Sequence, residues 1–446
     1  CGGRIQTHIE APFDVDTSGH ARQVGVEPTN ELAGMVGGEP AQPGIGVGQF
    51  GQMLLEAGPQ GLTAQSLPLG LLGEGVDERA QALRLGEAGI PAVAGQEPAQ
   101  RAGGDGLDVR GADAHRLIPA DERGARRRLG RPGPILGQGP GHPAAGWWNA
   151  VVGPGRAIDT DRYYVVAANI LGGCQGSTGP SSTAPDGRPW GSRFPWLTTR
   201  DAVEAETRLA DALGIGTFHL VIGASLGGHR AIEWAVSHPE RVRNLALVAT
   251  GASTTADQLA WCHLQELAIV GDPFFFDGDY YSHPIGPVRG LGLARALAHT
   301  TYRSAAELDA RFGRAHQGQE DPAVGGRYQI ESYLDYHAGK LLARFDANTY
   351  LIVNHSMMVH DVGSGRGGIP AALDAVTARA LVIDIDSDRL FPAAQAAELA
   401  QAIPGARRET VHSLHGHDGF LIEAEQMNAI LRSFLDGPEN GARADA

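Results

Sequence analysis

Read for the order of apolar and polar positions, the chain changes character near residue 140. Beyond it, short apolar runs alternate with amphipathic stretches. Tyr163-Tyr164-Val165-Val166-Ala167-Ala168-Asn169-Ile170, Phe218-His219-Leu220-Val221-Ile222, Asn244-Leu245-Ala246-Leu247-Val248-Ala249 and Ala380-Leu381-Val382-Ile383-Asp384-Ile385 predict strands buried on both faces. Residues 198–213 place Ala202, Val203, Leu209, Ala210 and Leu213 on one helical face, with Thr198 or Thr199 available as a cap. Residues 229–236 predict a second helix. Strand–helix alternation of this kind predicts the α/β class, a mostly parallel sheet covered by helices. After Gly251 the alternation stops. Residues 253–368 read as helical, with candidate helices around Leu259-Ala260-Trp261, 293–299, Ala305–Phe312, 330–345 and 347–359. Such a stretch between sheet strands is an inserted helical lid. Helices over 392–402 and 423–435 follow, and the tail beyond Gly437 is polar.

Residues 1–138 carry neither strand alternation nor a sustained helical period, except weakly over 77–90. Phe13 and Phe50 are their only aromatic residues. Composition of this kind buries too little apolar surface to offset chain entropy. The region is expected to be disordered or mistranslated, for example an out-of-frame reading joined to a correct remainder. The chain begins at Cys1 rather than Met, and the true N-terminus is expected to be missing. The expected division is an atypical region 1–138, a first core part 139–252, a helical lid 253–368, a second core part 369–437 and a tail 438–446.

The 446 residues carry a formal net charge of −15, which disfavours a nucleic-acid or anionic-membrane partner. Hydrophobic residues make up 42%, enough for a sizeable core. Cys1, Cys174 and Cys262 have no paired spacing, so neither a disulfide framework nor a metal site is expected, and a reducing cytoplasm fits. No apolar run is long enough to span a membrane, and no signal peptide is recognised. The Gly-rich loop over 171–180 lacks the G-x-G-x-x-G spacing of a dinucleotide site.

The chemistry gathers around Gly223-Ala224-Ser225-Leu226-Gly227-Gly228. An apolar strand precedes it and a helix follows, the context that a G-x-S-x-G nucleophile elbow requires. Ser225 would stand at the helix N-terminus, where developing negative charge is favoured. The Leu226 N–H would supply one oxyanion donor, typically worth about 3 kcal/mol. An orienting acid and a base should follow in the order Asp, then His. Asp388 lies just past the C-terminal end of the resumed strand, the end where ligands gather in such sheets. Asp384 and Asp386 compete for the role from worse positions. His417 lies in a Gly-flanked loop before the last helix, with His412 and His415 as competitors.

From Gly141 onward the chain resembles the homoserine O-acetyltransferase family of the α/β-hydrolase superfamily. The segments that carry the resemblance are GHPAAGWWNAVVGPG, NILGGCQGSTGPSS, DGRPWGSRFP, GASLGG, ADQ, RFDANTYL, HDVGSGRGG, SDRLFP and GHDGFL, in order over about two thirds of the chain. The elbow departs mildly, with Ala224 and Leu226 where the family usually has Gly and Met. The resemblance implies an α/β-hydrolase fold and a ping-pong transfer from acetyl-CoA to L-homoserine in methionine biosynthesis, with acetyl-CoA as co-substrate and no cofactor. It implies Arg295 on the substrate carboxylate, Asp418 at the amino-acid end, Tyr302 lining the pocket, and a homodimer built through the lid. The family's second oxyanion loop has no match before Gly141. Succinyl-CoA or L-serine acyl transfer, ester hydrolysis and an inactive remnant are the alternatives.

Overall fold

The computed structural model describes residues 146–174 and 176–437, together with the backbone of Gln52–Ala57. All of these belong to the unit Pro43–Ala446. The expectations for the rest of 1–138 and for the tail 438–446 lie outside the described residues.

A six-stranded sheet organises the described chain. Its strands are β1 (Gln52–Ala57), β2 (Tyr163–Val166), β3 (Leu220–Ala224), β4 (Asn244–Val248), β5 (Arg379–Ile385) and β6 (Arg407–Val411), in the spatial order β2-β1-β3-β4-β5-β6. β3 to β6 pair in parallel, whereas β1 runs antiparallel to both its neighbours. Ala224 pairs with Val248 and Val248 with Ile383, so the C-terminal ends of β3, β4 and β5 lie side by side.

Every residue of β3 and β4 is buried. Alternate side chains enter two different cores. Leu220, Ile222, Ala246, Val248, Leu381 and Ile383 face one, and Val221, Leu245, Leu247, Ala380 and Val382 face the other. Burial on both faces is why these strands read as unbroken apolar runs.

The helices around the sheet are α1 (Thr199–Ala212) and α2 (Leu226–Ser237). Thr198 caps α1 in a reciprocal capping box with Asp201. The lid follows β4: α3 (Ala256–Val270), α4 (Val288–Tyr302), α5 (Ala305–Phe312), α6 (Gln329–Leu342) and α7 (Ala347–Met358); the short α8 (Ile369–Asp374) leads back into the core. Then come α9 (Ala393–Ala402), the short α10 (Gly419–Ile422) and α11 (Ala424–Leu435). α2 contributes Ala231, Ile232, Trp234 and Ala235 to one core, while lid residues Ile269, Leu291, Ala294 and Tyr350 join the other. Among the described residues no helix is long and apolar enough to cross a membrane.

Three differences from the sequence reading have physical causes. The run expected over 163–170 is a strand only to Val166, because the Gly-rich loop begins turning at Leu171-Gly172. β1 occupies a region without strand alternation, its apolar stretch Met53-Leu54-Leu55 being too short to show a period. β6 carries Arg-Arg-Glu-Thr before its only buried residue, Val411. As an edge strand it keeps its polar side chains toward water, and the apolar signal is lost.

Candidate active site

β3 ends at Ala224, and the chain turns sharply into α2. Ser225 sits on the turn with φ 55° and ψ −126°, a conformation that costs a non-glycine residue free energy. Neighbouring strands hold it there. The Ser225 N–H donates to the Val248 carbonyl at 2.9 Å, and the Thr250 hydroxyl donates to the Ser225 carbonyl at 2.9 Å. A Cβ at Gly223 would lie 1.9 Å from the Gly227 carbonyl oxygen, so only glycine allows strand and helix to approach this closely. Leu226 is the first residue of α2, and a first helical N–H has no intrahelical acceptor.

Asp388 lies three residues past β5, on the same sheet edge as Ser225. Its Oδ1 accepts from the Leu390 and Phe391 N–H groups at 2.8 and 3.0 Å. Its Oδ2 lies 2.6 Å from His417 Nδ1, and both side chains are fully buried. His417 stands on the turn Gly416–Asp418, its ring stacked on Phe391 and edge-on to Phe420. The competing residues are engaged elsewhere. Asp384 pairs with Arg408 at 2.7 Å, Asp386 meets His412 at 2.9 Å near the surface, and His415 faces Glu307 at 3.9 Å.

The lid brings the remaining sequence candidates to this edge. The Tyr302 ring centroid is 5.9 Å from that of His417, and the Arg295 guanidinium lies 5.4 Å from the Tyr302 ring centroid. Both residues are buried, and burial pushes the Tyr302 hydroxyl pKa up. Asp418, next to His417 in sequence, is also buried. Burial pushes its carboxyl pKa up, opposed first by Arg303 and then by His417 and Arg295. Asp418 Oδ2 lies 3.3 Å from Arg303 Nε, and Asp418 Oδ1 has no hydrogen-bond partner among the described residues.

The structure thus brings together Asp388, His417, Tyr302, Arg295 and Asp418, and sets Ser225 and Leu226 at the same end of the sheet. No group of three or more His, Cys, Asp or Glu side chains suited to a metal ion occurs among the described residues. Sequence reasoning assigned no role to Thr250, Gln258 or Arg303. Gln258 completes a capping box with Thr255 and donates from Nε2 to the Leu390 carbonyl at 2.7 Å, tying the first lid helix to the Asp388 loop. The Thr-x-x-Gln spacing was a readable sign of that cap. Thr250 and Arg303 had no comparable signal.

Comparison with known proteins completes the picture. The family model for the alpha/beta hydrolase fold matches residues 136–424. A homoserine O-acetyltransferase of Thermobifida fusca (strain YX) is 56% identical over 300 residues, covering 67% of this chain and 79% of that protein. The crystal structure of a homoserine O-acetyltransferase from Bacillus anthracis aligns with a TM-score of 0.62 at 24% identity, over 68% of this chain and 83% of that one, which speaks for the fold. Esterase E22 aligns equally well, with a TM-score of 0.62 at 25% identity, over 68% of this chain and 85% of that one.

Proposed function

The chain belongs to the α/β-hydrolase fold family and, within it, to the homoserine O-acetyltransferases, and on that premise we propose that it transfers an acetyl group from acetyl-CoA to the hydroxyl of L-homoserine. The observation that carries the reading is the buried 2.6 Å contact between His417 and Asp388, on the sheet edge that holds the strained Ser225.

In this mechanism Ser225 Oγ attacks the thioester carbonyl while His417 Nε2 takes its proton. CoA leaves as the thiol, protonated by His417, and acetyl-Ser225 remains. His417 then deprotonates the homoserine hydroxyl, which attacks the acyl-enzyme and regenerates Ser225. Asp388 fixes the tautomer that puts the proton on Nδ1 and supports the imidazolium that forms. Leu226 N–H stabilises the oxyanion. Arg295 holds the substrate carboxylate, Asp418 the ammonium, and Tyr302 lines the pocket between them. Charge-assisted contacts of this kind suit a zwitterionic acceptor. Acetyl-CoA is a co-substrate, and the scheme uses no resident cofactor.

We place this activity in methionine biosynthesis and in the cytoplasm, where the thiols of Cys174 and Cys262 stay reduced. The working unit is a homodimer through the lid, supported by Leu264, Leu267 and Val270 on α3 and Val288 and Leu293 on α4, all exposed. The domain division is a hydrolase core in two parts, 139–252 and 369–437, around the lid 253–368.

The test is CoA release by purified protein offered acetyl-CoA or succinyl-CoA with homoserine or serine. Release is expected with acetyl-CoA and homoserine, and Ser225→Ala should lower it by on the order of 10^6-fold. Rapid release with succinyl-CoA or serine alone would reassign donor or acceptor. A second reading, ester hydrolysis, has the E22 alignment in its favour. Aryl-acetate cleavage with no transfer to any acceptor would select it.

A further inference from the structure

Arg303 is the first residue after α4, and its side chain reaches back toward the histidine loop. The two segments are clamped together. The Ser304 hydroxyl donates to the Leu414 carbonyl at 2.5 Å. Gly416 has φ +65°, and a Cβ there would lie 2.6 Å from Ser304 N and 2.9 Å from the Arg303 carbonyl carbon. Arg303 Nε then sits 3.3 Å from Asp418 Oδ2, and Nη1 lies 3.7 Å from Glu307 Oε1. Tyr333 of α6 hydrogen-bonds to Arg303 and donates to or accepts from His299 Nε2 at 2.9 Å.

Asp418 is 3% exposed. A carboxylate taken this far from water takes up a proton unless a cation holds it ionised. Arg303, Arg295 and Tyr302 face it from α4, with Arg303 closest in effect. His417 faces it from its own turn, Asp388 from the loop after β5, and Tyr333 from α6. Glu307 of α5 competes for the Arg303 charge, and Arg311 at 3.6 Å and His415 at 3.9 Å share Glu307 in turn. Oδ2 of Asp418 pairs with Arg303 at 3.3 Å, and Oδ1 has no hydrogen-bond partner among the described residues.

From this geometry we infer that Arg303 is a positioning residue: it holds Asp418 ionised and turned so that Oδ1 receives the ammonium of the amino-acid acceptor. The inference rests on the acyltransferase reading and deepens it, placing acceptor selectivity in a lid residue that touches Asp418 and not the acceptor.

Ping-pong kinetics separate the two halves. In Arg303→Gln the acceptor KM should rise at least about tenfold, the loss expected when a charged acceptor group loses its fixed geometry. The rise should be steeper at pH 6 than at pH 8.5, because the freed Asp418 carboxyl titrates upward, whereas a structural defect would be indifferent to pH. The CoA burst without acceptor reads the donor half in the same variant, and the split between the two is the signature. Arg303→Lys retains a cation, as a point charge without the guanidinium fork. It should cost under about threefold in KM and keep the pH dependence of the unsubstituted protein. This second variant carries the test if Arg303→Gln fails to fold. A KM unchanged in Arg303→Gln, a burst lost together with acceptor binding, or Arg303→Lys as pH-steep as Arg303→Gln would each overturn the inference. Absence of any burst in the unsubstituted protein would instead overturn the acyltransferase reading.

Discussion

Two buried carboxylates of the core, Asp388 turned toward His417 and Asp418 turned toward the lid, are engaged in opposite ways. Asp388, on the core side, is complete. One oxygen takes two backbone N–H groups and the other takes His417. Asp418, facing the lid, is half complete, with Arg303 at one oxygen and no hydrogen-bond partner at the other among the described residues. A carboxylate with both oxygens engaged can only orient something already there. A buried carboxylate with an unengaged oxygen carries a desolvation cost that a cationic ligand relieves. On the proposed function, the difference assigns the chemistry to the contact within the core and acceptor recognition to the contact made with the lid.

The largest effect should come from attacking the complete carboxylate. Asp388→Asn puts an amide donor against His417 Nδ1 and forces the wrong tautomer. Both half-reactions should slow by about 10^3- to 10^4-fold, read as CoA burst rate and as kcat of transfer. A variant with a normal burst would show that Asp388 is not the orienting acid. Asp418→Asn is a smaller perturbation. The acceptor KM should rise by about 10- to 100-fold, the range for losing a hydrogen bond to a charged group, with the donor burst largely kept. If Asp418→Asn damaged the burst as deeply as Asp388→Asn, the contrast between core and lid would dissolve.

The smallest effect concerns stability. His229 of the core stacks on His360 of the lid at 3.9 Å, and within the lid the rings of His299 and His337 lie 4.0 Å apart. Burial drives all four pKa values below the ordinary 6.5, His360 to about 4 and His337 to about 3. These groups bind protons more readily in the unfolded chain, so their contribution is complete above pH 6.5 and lost as pH falls toward the folded values. Each should remove up to about 1.4 kcal/mol per pH unit in that window, visible as lower urea midpoints at pH 5 than at pH 7.5. His360→Gln should flatten the acid-side fall. An identical pH dependence in that variant would mean that burial of His360 is not what the fall reports.

The core was more legible in the sequence than the lid for the same physical reason. β3, β4 and β5 are buried on both faces and announce themselves as apolar runs. Gly223 had to be glycine because a Cβ would meet Gly227, and the G-x-S-x-G spacing records that contact. Asp388 followed from where a strand ends. Its place past the strand end ranked it above Asp384, inside the strand, and Asp386, at its end; the sequence could not show that Asp384 pairs with Arg408 and Asp386 with His412. In the lid, Arg295 and Tyr302 were reached through a family resemblance, because an arginine and a tyrosine on a helix carry no local mark of burial. Arg303 was passed over entirely. Its role depends on a contact with Asp418 across a long sequence interval, and no periodicity encodes that.

His417 and Asp418 are consecutive residues on one tight turn, yet one answers to Asp388 of the core and the other to Arg303 of the lid. In the proposed mechanism the proton acceptor and the amine anchor therefore share one backbone. A substitution, insertion or deletion that reaims either residue reaims both. Diversification toward new acceptors is steered away from that turn and toward the helix ends facing it. In the proposed mechanism Arg303, Tyr302 and their neighbours are the evolvable side of acceptor recognition, and a library for altered acceptor choice belongs there.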